Sequence, residues 1–191
     1  MKTNNFGFVC AAILSWILLS PAQSAEISKQ AFQAEYELNS SVAGKSVHKL
    51  SCDGKGHGRS EMISARRQNV SILDYAKHQI FILNPESKTV LTLPLTNDDV
   101  NGLEAFGQKI RSTGKPLGVK LIDGHMCTGT HYDLDGGSFE EIWTGNDIGG
   151  TRVYSKVTMP KLGVSESHLK AYSPSSPAAD SFTIPAGYST K

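Results

Sequence analysis

Apolar and polar residues alternate over residues 32–39, where Phe32, Ala34, Tyr36 and Leu38 are separated by Gln33, Glu35, Glu37 and Asn39. A period of two marks a strand with one buried and one wet face. Turns at 43–45 and 53–58 frame further strands over 47–52 and 59–64, so the first third of the chain predicts a β-meander. Residues 72–75, 80–83 and 89–95 follow as three more strands and carry the densest apolar material in the body of the chain. Val100, Leu103, Phe106 and Ile110 then recur at helical spacing. With a Thr96 or Asn97 cap, Asp98 and Asp99 in the first turn and a stop at Gly114-Lys115-Pro116, they predict one amphipathic helix over 98–111.

Strands resume at 117–122, where Asp123-Gly124 is a strong two-residue hairpin signal. Strands at 125–134, 138–144, 151–159 and 164–172 complete the pattern. The tail from 174 is rich in Ser, Pro and Ala, and Phe182, Ile184 and Tyr188 are the residues that would pin it to the body. The fold class expected is mainly β (α+β). It is a single curled antiparallel sheet, an unclosed β-barrel of about ten or eleven strands, because a sheet of that size curls or closes. Residues 72–95 are expected as its central staves, with the 98–111 helix covering the concave side.

Residues 1–25 change the picture of compartment. Lys2, an apolar run from 6 to 19 and small residues at 21–25 read as a cleaved secretory signal peptide ending at Ser24 or Ala25. The apolar run is shorter than a bilayer-spanning helix needs. The expectation is therefore export to the periplasm, a single domain over 26–191, and no transmembrane anchor after cleavage. The signal removes one of the 19 Lys and Arg and none of the 18 Asp and Glu, leaving a balanced chain with no support for nucleic-acid binding. A monomer is expected.

Cys52 and Cys127 remain after cleavage, and an even count in an oxidising compartment predicts one disulfide between them. It would close a loop of about 75 residues, which the chain-entropy account values at roughly 4 kcal/mol. His125, Cys127 and His131 share strand parity, as do His48 and Cys52, but the spacing fits no standard zinc pattern, so neither metal nor cofactor is expected. Gly54, Gly56 and Gly58 precede a strand, not the helix a phosphate loop requires, and read as a hairpin turn. No Gly-x-Ser-x-Gly elbow occurs, and Asp53, Glu61, Asp74, Glu140 and Glu141 fall on turns or wet strand faces. No catalytic residue is expected, and the chain reads as a non-enzyme. Arg59 stands apart, at a strand start beside the glycine turn. Its five donors suit the carbonyls at the end of a covering helix, and an ion pair with Glu61 is the plainer alternative.

Several short motifs carry a resemblance. They are Gly58-Arg59-Ser60-Glu61, residues 71–75, residues 80–85 with Lys88-Thr89, residues 123–127, Glu141-Ile142-Trp143, and residues 182–188. Through them the chain resembles the periplasmic lipoprotein-carrier (LolA/LolB-like) superfamily, and more nearly its uncharacterised exported bacterial families. The resemblance implies an open barrel with a helical lid over an apolar cavity for acyl chains, and it implies that Arg59 latches the lid. The function expected is a periplasmic binding protein holding a lipid or lipoprotein acyl chain between sheet and helix. Its expected ligand-binding residues are Tyr36, Leu38, Phe81, Leu83, Leu91, Leu93, Leu103, Phe106 and Ile110. The alternative is a structural or partner-binding envelope protein whose core is filled by its own side chains.

Overall fold

The computed structural model describes residues 31–95, 114–160 and 162–190. The helix expected over 98–111, with Leu103, Phe106 and Ile110, and the leader expected over 1–25 lie outside the described residues.

Alternation becomes strand wherever it was read. The first arm is β1 (Ala31–Ser40), β2 (Gly44–Asp53), β3 (His57–Ser64), β4 (Gln68–Asp74), β5 (Gln79–Asn84) and β6 (Thr89–Pro94). The second is β7 (Lys115–Ile122), β8 (His125–Asp133), β9 (Phe139–Gly145), β10 (Arg152–Met159) and β11 (Gly163–Ser173). A two-residue strand, β12 (Ser189–Thr190), lies parallel to β6. It is too short to leave a periodic signal, which is why ten or eleven strands were expected. The Asp123-Gly124 turn has φ of 48° and 87°, both positive as a type I′ hairpin requires.

Among the described residues these strands form one unclosed sheet in the order β12-β6-β5-β4-β3-β2-β1-β11-β10-β9-β8-β7. The two arms join where β1 pairs antiparallel with β11. The centre of the sheet is therefore β1 and β11, and residues 72–95 lie toward one edge instead of forming central staves. Hairpins build each arm locally, but the seam between them pairs residues over a hundred positions apart, such as Leu38 with Ser167.

The larger core cluster joins Ala34, Tyr36, Leu38 and Leu50 of the first arm to Cys127, Trp143, Val153 and Leu169 of the second. Side chains from strands that are not neighbours can meet only if the sheet curls. A smaller cluster gathers Val70, Ile72, Leu83 and Val90, with Phe182 and Tyr188 of the tail packed on it. The tail is thus held by two of its three expected aromatic or aliphatic anchors, while Ile184 stays 37% exposed. In the second arm Trp143 lies flat against Gly129: a Cβ on that glycine would fall 2.7 Å from three ring carbons.

Candidate binding face

The register from β1 to β6 has no slips, so cross-strand partners assign every residue there to a face. One rung runs Phe32, Cys52, Gly58, Leu73, Ile80, Leu93, and the next runs Ala34, Leu50, Ser60, Ser71, Ile82, Leu91. Tyr36 and Leu38 project to the same side of β1. The opposite face carries Arg59, Ile72 and Phe81 on one rung and Glu61, Val70, Leu83 and Val90 on another. The expected ligand-binding set is therefore split. Tyr36, Leu38, Leu91 and Leu93 share a face, whereas Phe81 and Leu83 point the other way, because one residue of parity separates them from Ile80 and Ile82.

Burial divides the set again. Tyr36, Leu38 and Leu83 are buried at 2%, 3% and 2% exposure, while Leu91 and Leu93 are 44% and 38% exposed. Around the exposed pair, Leu73, Ile80 and Ile82 are half-buried cross-strand neighbours. Five apolar side chains thus form a contiguous, solvent-reached patch on the Tyr36 face of β4–β6. Contiguous exposed apolar surface rimmed by polar residues marks an interaction site more often than scattered leucines do.

Beside Tyr36 the buried side is polar, which the sequence did not suggest. His48 Nε2 lies 2.8 Å from Ser60 Oγ. The Arg152 guanidinium sits 5.4 Å from the Tyr36 ring centre. Glu140 and Arg152 are both buried, and Glu140 Oε2 has no hydrogen-bond partner among the described residues. Burial pushes the Glu140 carboxyl up to about 7, with the Arg152 charge pulling the other way. Burial, aided by the same cation, drives the His48 imidazole down to about 3. Burial also raises the Tyr36 phenol, and Arg152 opposes it. Glu140 was expected on a wet strand face, His48 was weighed only as a metal ligand, and Arg152 was missed, because a charged residue on a strand reads as a wet-face residue. Only the fold of the second arm against the first places them inside.

Arg59 does meet a backbone carbonyl, but in the C-terminal tail. Its Nη1 donates to Ser181 O at 3.0 Å, within a 3-10 turn at Ala179–Phe182, and its Nε donates to Glu61 Oε1 at 2.7 Å. The ion pair with Glu61 is present, whereas the carbonyl belongs to the tail, and the helix that Arg59 was expected to latch lies outside the described residues. Phe182 and His57 have ring centres 6.0 Å apart, Tyr188 lies under Lys88, and Ser189 N donates to Lys88 O at 3.0 Å. The tail is thus a strap across the Arg59 face. Two clefts lie beneath it. One, of about 420 Å³, is lined by Arg59, Glu61, Lys49 and Glu35 among others. The other, of about 550 Å³, is bounded by His57, Asp74, Phe81 and Phe182. Among the described residues, Phe81 is the one expected ligand-binding residue that borders either cleft. Several of their charged groups are paired with one another: Lys49 with Glu35 at 3.2 Å, and Lys77 with Asp74 at 2.8 Å.

The expected disulfide between Cys52 and Cys127 is not formed; both are buried thiols. Four strands separate β2 from β8 in the sheet order, and the two side chains have different surroundings. Cys52 Sγ accepts from Gly54 N at 3.4 Å, whereas Cys127 packs into the larger core cluster and donates to His125 O at 3.4 Å. The histidines weighed as metal ligands are dispersed: His125 to Asp147, His131 to Asp133 and His48 to Ser60. Among the described residues no three metal-ligating side chains gather, and no helix is long and apolar enough to cross a membrane.

No family model matches the sequence, and no curated protein matches it. Solved structures do. An uncharacterised conserved protein from Thermus thermophilus matches with a TM-score of 0.68 at 8% identity, over 90% of this chain and 96% of that one. A chain of the MucA/MucB complex from Pseudomonas aeruginosa matches with a TM-score of 0.56 at 14% identity, over 87% of this chain. This chain spans 59% of that one. A LolA superfamily protein from Nitrosomonas europaea matches more loosely, at a TM-score of 0.41 and 10% identity, over 86% of this chain and 98% of that one. The fold likeness rests on the first two.

Proposed function

We propose that this protein is a non-enzymatic binding protein of the periplasm that holds an apolar ligand, a lipid or lipoprotein acyl chain, against the Tyr36 face of β4–β6. The observation that carries this reading is the half-exposed patch of Leu73, Ile80, Ile82, Leu91 and Leu93, contiguous in cross-strand register. An alkyl chain laid across those rungs gains about 0.8 kcal/mol per methylene removed from water. The polar residues beside Tyr36 are buried, so the ligand is expected to lie on the patch and not to penetrate the core. Export rests on the leader-like sequence of residues 1–25, and Edman sequencing of protein from a periplasmic fraction tests it.

Native mass spectrometry of protein purified from membrane-containing cells should show co-purified lipid. Leu91→Asp with Leu93→Asp should abolish uptake of a fluorescent fatty acid while leaving the fold intact, since both side chains are already exposed. Leu83→Ala, on the opposite face, should destabilise by about 2–5 kcal/mol without changing uptake by the folded fraction. A clean apo mass and equal uptake by the double variant would refute the proposal.

A second reading, a partner-binding envelope protein, is favoured by the full burial of Tyr36 and Leu38, which fill their own space. The MucA/MucB complex is a protein–protein assembly on a similar fold.

A further inference from the structure

The larger of the two clefts beneath the strap lies on the face of the sheet opposite the Leu91 and Leu93 patch. Its volume of about 550 Å³ falls within the roughly 300–1,000 Å³ of small-molecule sites. Its two walls differ in kind. One is apolar and aromatic, with Phe81 of β5 and Phe182 of the tail. The other is polar and comes from two turns of the first arm, with Asp53, Lys55 and His57 around one and Asp74 and Lys77 at the other. These turns meet because His57 pairs with Asp74 across β3 and β4.

The two acids of the polar wall are turned inward and spent. Asp53 Oδ1 accepts from Lys55 N at 2.7 Å and from His57 N at 3.0 Å, and its Oδ2 accepts from His57 Nδ1 at 2.7 Å. Asp74 Oδ1 accepts from Lys77 N at 3.0 Å, and its Oδ2 accepts from Lys77 Nζ at 2.8 Å. Their side chains are 14% and 7% exposed. On the tail side, the Thr183 hydroxyl is spent on Asp180 O at 2.8 Å.

The bases keep capacity. Lys77 is 69% exposed at its side chain and gives Asp74 one of three ammonium donors. Lys55 is exposed and, among the described residues, commits only its backbone N–H. A carboxylate only accepts, so Asp53 fixes Nδ1 of His57 as a donor and leaves Nε2 to the cleft. An anion would meet that nitrogen as an N–H donor, with the ring as imidazolium between two carboxylates.

We infer that this cleft is a binding site for a small aromatic carboxylate, its ring against Phe81 and Phe182 and its carboxylate toward Lys55, His57 and Lys77. An amine of the same shape would meet the same bases and find both acids occupied. The site is independent of the acyl-chain patch, since the sheet lies between them. Half of its wall belongs to the tail, so a molecule that bridges tail and sheet holds the strap down by mass action.

The test titrates the isotope-labelled full chain with phenylacetate and follows backbone amide shifts. An acid of about ten heavy atoms is expected to bind with a Kd on the order of a millimolar. The shifts should gather at residues 53–57, 74–81 and 176–184, and phenethylamine should bind at least about tenfold more weakly. Lys55→Gln keeps the backbone N–H that Asp53 accepts and should weaken phenylacetate about threefold, as for an exposed ion pair. His57→Gln should weaken it about tenfold, as for a hydrogen bond to a charged group. Saturating phenylacetate should slow proteolytic release of the tail beyond 174. Equal binding of phenethylamine, shifts confined to the Leu91 and Leu93 patch, or an affinity unmoved by Lys55→Gln and His57→Gln overturns the proposal.

Discussion

Glu140 and His48 are buried near the same cation, Arg152, and their proton affinities are displaced in opposite senses. From an ordinary value of 4.5 up to about 7, the folded chain keeps a proton on Glu140 that the unfolded chain releases. Stability therefore falls as pH rises across that window, by about 1.4 kcal/mol per pH unit and about 3 kcal/mol in all. From about 3 up to the ordinary value of 6.5, the unfolded chain binds a proton that buried His48 refuses. There stability rises with pH at the same slope. The two effects cancel between about pH 4.5 and 6.5, and the wild-type protein should show a plateau. Glu140→Gln removes one slope and keeps the other, so its stability should climb by about 3 kcal/mol across those two pH units. Asp74, held low by the hydrogen bond from Lys77, acts below its ordinary 3.8 and equally in both proteins. Urea unfolding at stepped pH, followed by the fluorescence of Trp143, measures the difference. A stability gap between variant and wild type that does not change with pH would show that Glu140 is not proton-bound in the fold.

Other expectations follow from single contacts. Gly129→Ala sets a methyl 2.7 Å from the Trp143 ring. It should destabilise by about 1–3 kcal/mol through overpacking and alter the near-ultraviolet circular dichroism; an unchanged melting temperature contradicts the contact. Arg59→Gln removes the donor to Ser181 O and leaves Glu61 without its cation. Proteolysis should then release the tail beyond 174 faster than in wild type, and equal rates would mean that the aromatic anchors alone hold the strap. Burial lifts the thiols of Cys52 and Cys127 above their ordinary range. Alkylation should accordingly be slow in the folded chain and fast in urea. A non-reducing peptide map showing the two linked would overturn the thiol state.

The parts of this protein that were legible are those fixed by neighbours in sequence. The alternation at Tyr36 and Leu38 gave β1 and its burial, and Asp123-Gly124 gave a turn with two positive φ values. Arg59 was legible as chemistry, a fork of donors seeking a carbonyl, but not as geometry, since Ser181 lies 122 residues away. The ligand set was half legible: a list of leucines carries no face until the register sets Leu91 and Leu93 on one side and Leu83 on the other.

By itself, then, the sequence determined the β-rich class, eleven of the strands and most turns, because backbone alternation and glycine's positive φ act within a few residues. The tertiary structure decided that β1 and β11 form the seam and that His48, Glu140 and Arg152 are inside. It also set the two cysteines in different surroundings. Each of these depends on pairing across distant strands. A single residue of register reverses every side chain, and no local pattern encodes the partner.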